Sequence, residues 1–298
     1  MIIKVKIPAT SANLGAGFDA LGLALQLHNE VIVEESDKLS IVALDGAPVP
    51  TGEENLVYSS MVELAKVCGK TLPPVKISQI NRIPMARGLG SSSACIIGGL
   101  VAANALFGDM LSQQELLDVA VKMEGHPDNV APALLGGFVC AAMDGRTTHY
   151  VRSDVHSDLT FAALIPDFEL ATSAARRVLP KGVSRNDAVF NISRAALMSL
   201  AIINGRYEQL EVASDDRLHQ FYRLPLIPGA EEALGILKKE GAYCTTISGA
   251  GSTLLAMLPA SDTGYVRRAR EKLDDAGFAE WKLVSLDADN RGTVCFVE

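Results

Sequence analysis

At Arg82–Ala94 the chain reads RIPMARGLGSSSA. These residues have the glycines and serines of a phosphate-binding loop, and the apolar Ile96, Leu100, Ala103 and Phe107 behind them fall on one face of a predicted helix. The lysine of a G-x-x-x-x-G-K-[ST] motif is missing. Anion binding can do without it. The first turn of a helix carries backbone N–H groups without intrahelical partners, and aligned peptide dipoles add partial positive charge there. Glycine and serine let phosphate oxygens approach that turn, and a serine hydroxyl can ligand Mg²⁺. Alone, the stretch also fits a turn into a tightly packed helix, with Ala94, Gly98, Gly99 and Ala102 present for close approach.

Composition excludes several classes. Of 298 residues, 48% are hydrophobic and 21% charged, which supports a substantial core, divided most naturally between two domains. A net charge of −8 leaves no basic stripe for nucleic acid. The five cysteines (Cys68, Cys95, Cys140, Cys244, Cys295) form no C-x-x-C pair, and four lie in apolar runs. That pattern predicts reduced, buried thiols in a cytoplasmic protein. MIIKVKIPA at the N-terminus does not read as a signal peptide. Gly88–Gly108 is uncharged, but its apolar part is only about 15 residues, short of the ~20 of a membrane span.

Strands are predicted at Ile2–Ile7, Val31–Glu35, Leu39–Leu44 and Val75–Ile83, with a turn-rich segment over Pro8–Asp19. A helix is predicted over Asn55–Lys66, and Ser112 with Glu115 forms a capping box that opens another towards Glu124. In the second half, strands are predicted at Leu159–Ile165, Tyr243–Ile247, Leu254–Leu258, Trp281–Leu286 and Thr293–Val297. Helices there are predicted over Asn186–Ile203, Ala230–Lys239 and Thr263–Ala276. The mixture is α+β, and the polar stretch Thr147–Ser157 marks the expected boundary, giving domains 1–155 and 156–298.

Two motif matches fail. CGKT at Cys68–Thr71 has Leu64 where a Walker loop needs glycine. GAGFDA at Gly15–Ala20 fits G-x-G-x-x-A, but a dinucleotide fold wants its glycines directly after the first strand, and here they are delayed.

Together with three other segments, the glycine loop carries a resemblance. PMARGLGSSSA resembles the phosphate loop of the GHMP kinases, named for galactokinase, homoserine kinase, mevalonate kinase and phosphomevalonate kinase. PATSANLGAGFDALGLAL at Pro8–Leu25 resembles the family's first motif in its homoserine-phosphorylating form. EGHPDNVAPALLGG at Glu124–Gly137 resembles the same form, and SGAGSTLLAM at Ser248–Met257 resembles the third, glycine-rich motif, with Ser252 where proline is more usual. The segments stand in family order.

The resemblance implies a two-domain GHMP kinase fold, with an N-terminal domain like domain 2 of ribosomal protein S5 and a ferredoxin-like C-terminal domain. It implies ATP as donor and Mg²⁺ as cofactor. Pro84, Met85, Ala86, Arg87, Gly88, Leu89, Gly90, Ser91, Ser92 and Ser93 would surround the nucleotide phosphates, with Asn55 near the adenine and Thr172 near both substrates. Ser92 and Glu124 would hold the metal. The implied acceptor is L-homoserine, phosphorylated to O-phospho-L-homoserine for threonine synthesis. By motif position its site comprises Asn13, Asp19, His126, Asn129, Arg176 of TSAARRVLP and Arg223 of FYRLPLIPG. One carboxylate and two guanidiniums suit a zwitterion, since arginine binds carboxylates in bidentate fashion. Where some relatives use an aspartate as base, Asn129 stands here, and a carboxamide does not accept a proton at neutral pH. The expectation is therefore no side-chain base, with Asp128 directed elsewhere and Asn129 and His126 positioning the hydroxyl. Partners are small molecules alone, with neither nucleic acid nor membrane; relatives commonly dimerise.

Overall fold

A computed structural model describes residues Met1–Glu298. The first half supplies β1 (Ile2–Ala12), β2 (Leu21–Glu35), β3 (Ser40–Ala43), α1 (Leu56–Val67), β4 (Val75–Asn81) and α2 (Ser91–Leu106). It continues with α3 (Gln113–Glu124), α4 (Pro127–Leu135) and the hairpin β5 (Phe138–Asp144)–β6 (Thr147–Ser153). The second half runs β7 (Leu159–Ile165), α5 (Thr172–Arg177), α6 (Arg185–Ile203), and the single turns α7 (Leu210–Ala213) and α8 (Gln220–Arg223). α9 (Ala230–Lys239), β8 (Cys244–Ile247), β9 (Leu254–Pro259), α10 (Tyr265–Asp275), β10 (Lys282–Leu286) and β11 (Val294–Val297) complete it.

Several predicted elements form, each with an identifiable local cause. The Ser112–Glu115 capping box closes over the start of α3, and Asn55 caps α1 through its side-chain oxygen. The first strand runs further than predicted. Pro8 does not end it, because the β1–β2 register shifts between Pro8 and Ala9, and a bulge tolerates a residue that cannot donate to the ladder. The Thr147–Ser157 stretch, the expected boundary, is largely strand. Most of it is β6, an edge strand whose exposed polar residues mimic a loop.

The second sheet has order β10-β7-β9-β8, antiparallel throughout. With helices between β7 and β8 and between β9 and β10, this is the split βαββαβ arrangement of ferredoxin-like folds. Its two faces are buried differently. Phe161, Ala163 and Ile165 of β7 and Leu255 and Met257 of β9 join the large core that includes the first sheet, α1, α2 and α4. Ala162, Leu164, Leu254, Ala256 and Leu258 pack with α9 and α10 in a smaller core. Strand alternation thus makes one sheet the wall between two cores. The two halves share apolar packing and are not separable beads.

The boundary at residue 155 is crossed by the chain's end. β11 returns to pair with β1, in the order β11-β1-β2-β4-β3, with β5 pairing β2. Ahead of it, Asp289 ties the crossing: its backbone N–H donates to Ala24 O, and its carbonyl accepts from Gly137 N–H. Its carboxylate accepts from Arg291 N–H and Gly292 N–H and lies 2.7 Å from His28 Nε2. The cysteines are free, as expected, but only Cys244 is fully buried and Cys140 is exposed, because it sits on the open face of β5. No helix is long and apolar enough to cross a membrane.

Burial alone would raise the Asp289 pKa, yet the hydrogen bonds from His28 and the two backbone N–H groups leave it below the ordinary carboxylate value. A depressed carboxyl pKa gives stability that is present above the unfolded value of about 3.9 and is lost as pH falls through the folded value. Asp289→Asn is expected to lower the unfolding free energy at pH 7 by ~1–3 kcal/mol. In urea titrations the gap between the two proteins should close as the pH drops below about 4; a gap that persists there would exclude the linkage.

Candidate active site

The site is a cleft where the β1 end, the loop before α2, the start of α4, α5, α8 and the β8–β9 turn converge. Its phosphate-loop side is built by backbone. Gly90 caps α2 in the left-handed region (φ 71°) and no side chain caps that helix, so its first-turn N–H groups face the cleft unclaimed. Gly88 is also left-handed (φ 76°), and a Cβ there would stand 2.3 Å from Ser248 O. A Cβ on Gly90 would stand 1.9 Å from Thr10 Oγ1. Glycine is therefore required twice, for conformation and for space. The loop is clasped from behind: Ser248 Oγ donates to Gly88 O at 2.6 Å, Thr253 N–H donates to Arg87 O, and Gly249 N–H donates to Ala12 O.

Ala86, Arg87, Gly88, Gly90, Ser91 and Ser92 line the cleft. Other predicted loop residues do not. Leu89 is fully buried in the core, Pro84 is half-buried, Met85 is exposed, and Ser93 is buried behind the helix start. The Arg87 guanidinium spends its Nε–H on Pro166 O at 2.8 Å and Nη2–H on Asp167 O, bracing the loop against the end of β7. Asn55 lies outside the cleft lining. Its oxygen accepts from Val57 N–H and Tyr58 N–H, while Nδ2 donates to Pro50 O and Gln79. An adenine contact would have to share an amide already occupied as a helix cap.

Ser92 and Glu124 meet as predicted, with Ser92 Oγ 3.0 Å from Glu124 Oε1. Ser93 Oγ lies at the same distance from that oxygen. A hydroxyl and a carboxylate beside a phosphate loop are hard oxygen ligands of the kind Mg²⁺ prefers. Asp19, His126 and Asp128 also bring ligand atoms within 4.8 Å of one another. Their imidazole suits Mg²⁺ poorly, so the Ser92–Glu124 pair fits the ion better.

At the other end stand the charged side chains. Arg176 holds Asp19 in bidentate fashion, Nη2 to Oδ1 at 2.7 Å and Nη1 to Oδ2 at 3.2 Å. Asn13, left-handed at φ 69°, accepts from Asp19 N–H and donates Nδ2–H to Gly249 O at 2.9 Å. Arg223 is 1% exposed, and its partners are neutral: Ala175 O, His219 and Gly249 O. Burial, with the charge of Arg176, pushes its pKa down to about 10, so it stays cationic at neutral pH. Thr172 also lines the cleft, at the start of α5.

His126 caps α4, whose first residue is Pro127, where a missing N–H costs nothing. Asn129 Oδ1 accepts from Thr10 Oγ1–H at 2.7 Å, which leaves its Nδ2–H groups for the cleft. Asp128 corrects the sequence reading. It does not point away; it is buried in the cleft wall with Oδ1 2.5 Å from His126 Nδ1. Its place two residues beyond His126, across a helix start, returns its carboxylate to that ring. Gly249 and Ala250 also line the site without having been singled out, although their motif had been.

A helix N-terminus cradled by glycines, a hydroxyl–carboxylate pair and an acceptor end rich in paired charge define a small-molecule phosphotransferase. The GHMP kinase N-terminal domain model matches residues 55–137 and the GHMP kinase C-terminal model residues 198–279. The chain is 44% identical over 293 residues to a homoserine kinase of Clostridium beijerinckii, covering 98% of this chain and 97% of that one. It is 46% identical over 300 residues to one of Desulfitobacterium hafniense, covering 98% and 100%. The crystal structure of a homoserine kinase from Cytophaga hutchinsonii superposes with a TM-score of 0.87 at 26% identity, over 99% of this chain and 97% of that one. This chain belongs to the GHMP kinase family.

Burial disfavours charge on His126, but the hydrogen bond and charge of Asp128, with Asp19 adding, outweigh it and raise the pKa. Replacing Asp128 by Asn should bring the His126 pKa down towards or below the ordinary value of about 6.5. NMR titration of the ring signals, assigned with His126→Gln, measures this. Identical titration in both proteins would remove the coupling.

Proposed function

We propose that this chain transfers the γ-phosphoryl group of ATP to the side-chain hydroxyl of L-homoserine, giving O-phospho-L-homoserine. The observation that carries the reading is the acceptor end of the cleft. Asp19 and Arg176 neutralise each other, while Arg223 is a buried cation whose partners are all neutral. An α-amino acid matches this set: its ammonium takes Asp19, and its carboxylate takes Arg176 and gives Arg223 an anionic partner. A sugar has no charge to exchange for these groups. The relatives named above, homoserine kinases by name, support the same acceptor.

Phosphoryl transfer asks for in-line positioning and offset charge more than covalent chemistry. The loop Gly88–Ser93 and the α2 N-terminus would receive the phosphates. Ser92 and Glu124 would hold Mg²⁺, which would supply positive charge to offset that of the phosphates. The free Nδ2–H of Asn129 is a donor to the acceptor oxygen or to the moving phosphoryl group. His126, whose pKa the hydrogen bond and charge of Asp128 raise against burial, lines the cleft beside it. Asn129 cannot serve as base, and we infer that the hydroxyl proton leaves to a phosphate oxygen or water.

ADP release with Mg-ATP should be stimulated by L-homoserine and not by D-homoserine, L-threonine, mevalonate or galactose. Stimulation by one of the other alcohols alone would keep the kinase and discard the acceptor. Arg176→Ala and Arg223→Ala should each raise KM for L-homoserine ~10–100-fold, the value of a charge-assisted hydrogen bond, with KM for ATP nearly unchanged.

A further inference from the structure

His219 has had no part in the reaction so far, yet it is 0% exposed and stands immediately before α8, whose last residue is Arg223. Both ring nitrogens are engaged. Nε2 lies 2.8 Å from Gly15 O, and Nδ1 lies 3.2 Å from Arg223 Nη1. A carbonyl oxygen only accepts and a guanidinium only donates. The proton must therefore sit on Nε2, and Nδ1 must offer a lone pair to Arg223. The ring is neutral in this arrangement. Asp216, 3.7 Å from Nε2, does not take that proton, because its carboxylate already accepts from the N–H groups of Leu218, His219 and Gln220 and from Asn191.

The guanidinium is correspondingly fixed. Nη1 is shared between His219 and Gly249 O (3.0 Å), and Nε–H donates to Ala175 O (3.3 Å). These bonds leave Nη2 for the cleft that Arg223 lines. Phe18 holds the assembly from one side. Its ring stacks on His219 with centroids 5.2 Å apart, and it lies 5.2 Å from Arg223 Cζ and 5.6 Å from Arg176 Cζ. A carboxylate in place of His219 would orient Arg223 and also cancel its charge. A neutral acceptor orients it and leaves the whole charge for a ligand.

We propose that His219 is a positioning residue for the acceptor's carboxylate, its Nδ1 lone pair aiming the Arg223 guanidinium into the cleft. The inference rests on the L-homoserine reading above and adds a determinant of acceptor specificity to it.

Two substitutions separate the ring's two bonds. In His219→Asn the side-chain oxygen takes the place of Nδ1 and can still accept from Arg223. In His219→Gln the terminal amide takes the place of Nε2 and can still donate to Gly15 O, but the acceptor for Arg223 is lost. His219→Gln should raise KM for L-homoserine about 10-fold, the value of one hydrogen bond to a charged group, with kcat and KM for ATP within about twofold of wild type. His219→Asn should recover most of that loss. ¹⁵N NMR of the wild type should show the Nε2–H tautomer without any substrate present. An Nδ1–H or protonated ring overturns the proposal, whatever the acceptor proves to be. Unchanged KM in the Gln variant of an enzyme active on L-homoserine overturns the positioning role alone. Equal rises in KM for both substrates in both variants would show a merely structural role. A wild type that ignores L-homoserine removes the acceptor reading first, and this role with it.

Discussion

Three stretches of backbone, far apart in sequence, touch at one seam, and both ends of the cleft depend on it. Ala12 ends β1, Arg87 and Gly88 lie in the phosphate loop, and Ser248–Thr253 form the turn between β8 and β9. They meet through main-chain hydrogen bonds at distances that leave no room for a Cβ at Gly88. The same turn serves the acceptor end, because Gly249 O accepts from both Asn13 and Arg223. The proposed donor and acceptor sites would therefore share one wall. On the proposed reading a shift there would displace the phosphates and the alcohol together, and in-line alignment would depend strongly on backbone geometry.

Charge at the acceptor end is held in two different ways. Asp19 and Arg176 are half-exposed and satisfy one another, so a ligand that inserts between them exchanges one ion pair for two. Arg223 has no acid in hydrogen-bond contact and is stabilised by carbonyl dipoles and an imidazole lone pair. Leaving a cation buried beside neutral acceptors is unfavourable for folding on its own, and such an arrangement is usual where the compensating charge arrives with a ligand. Phe18, between the two guanidiniums and His219, supplies a π-face that both cations favour and keeps them on one side of the pocket.

Much of this was legible in the sequence where the signal is local. The apolar run Leu159–Ile165 located β7 to the residue, and the Ser112–Glu115 pair located the start of α3, because both rest on neighbours within a few positions. The motif segments converge because their glycines and asparagines have backbone tasks that any chain of this fold must meet. What could not be read depends on distant partners. Pro8 reads as a strand end until its bulge against β2 is known, and β6 reads as a polar boundary stretch because one of its faces meets water. Asp128 and His219 carry no pattern of their own. Only the folding of α4 and α8 against the cleft shows which atoms they meet, and a pattern of residue types gives no hint that an imidazole is buried beside an arginine.

The return of β11 to the side of β1 has a consequence for biosynthesis. β1 and β11 stand nearly the whole described sequence apart, so that edge of the first sheet stays open while everything between them is synthesised. At roughly 5–20 residues per second, that edge stays unpaired for about 15–60 s, and an unpaired strand edge is a template for wrong partners. The sheet that carries the phosphate loop is thus completed only once β11 has emerged from the ribosome and reached the side of β1.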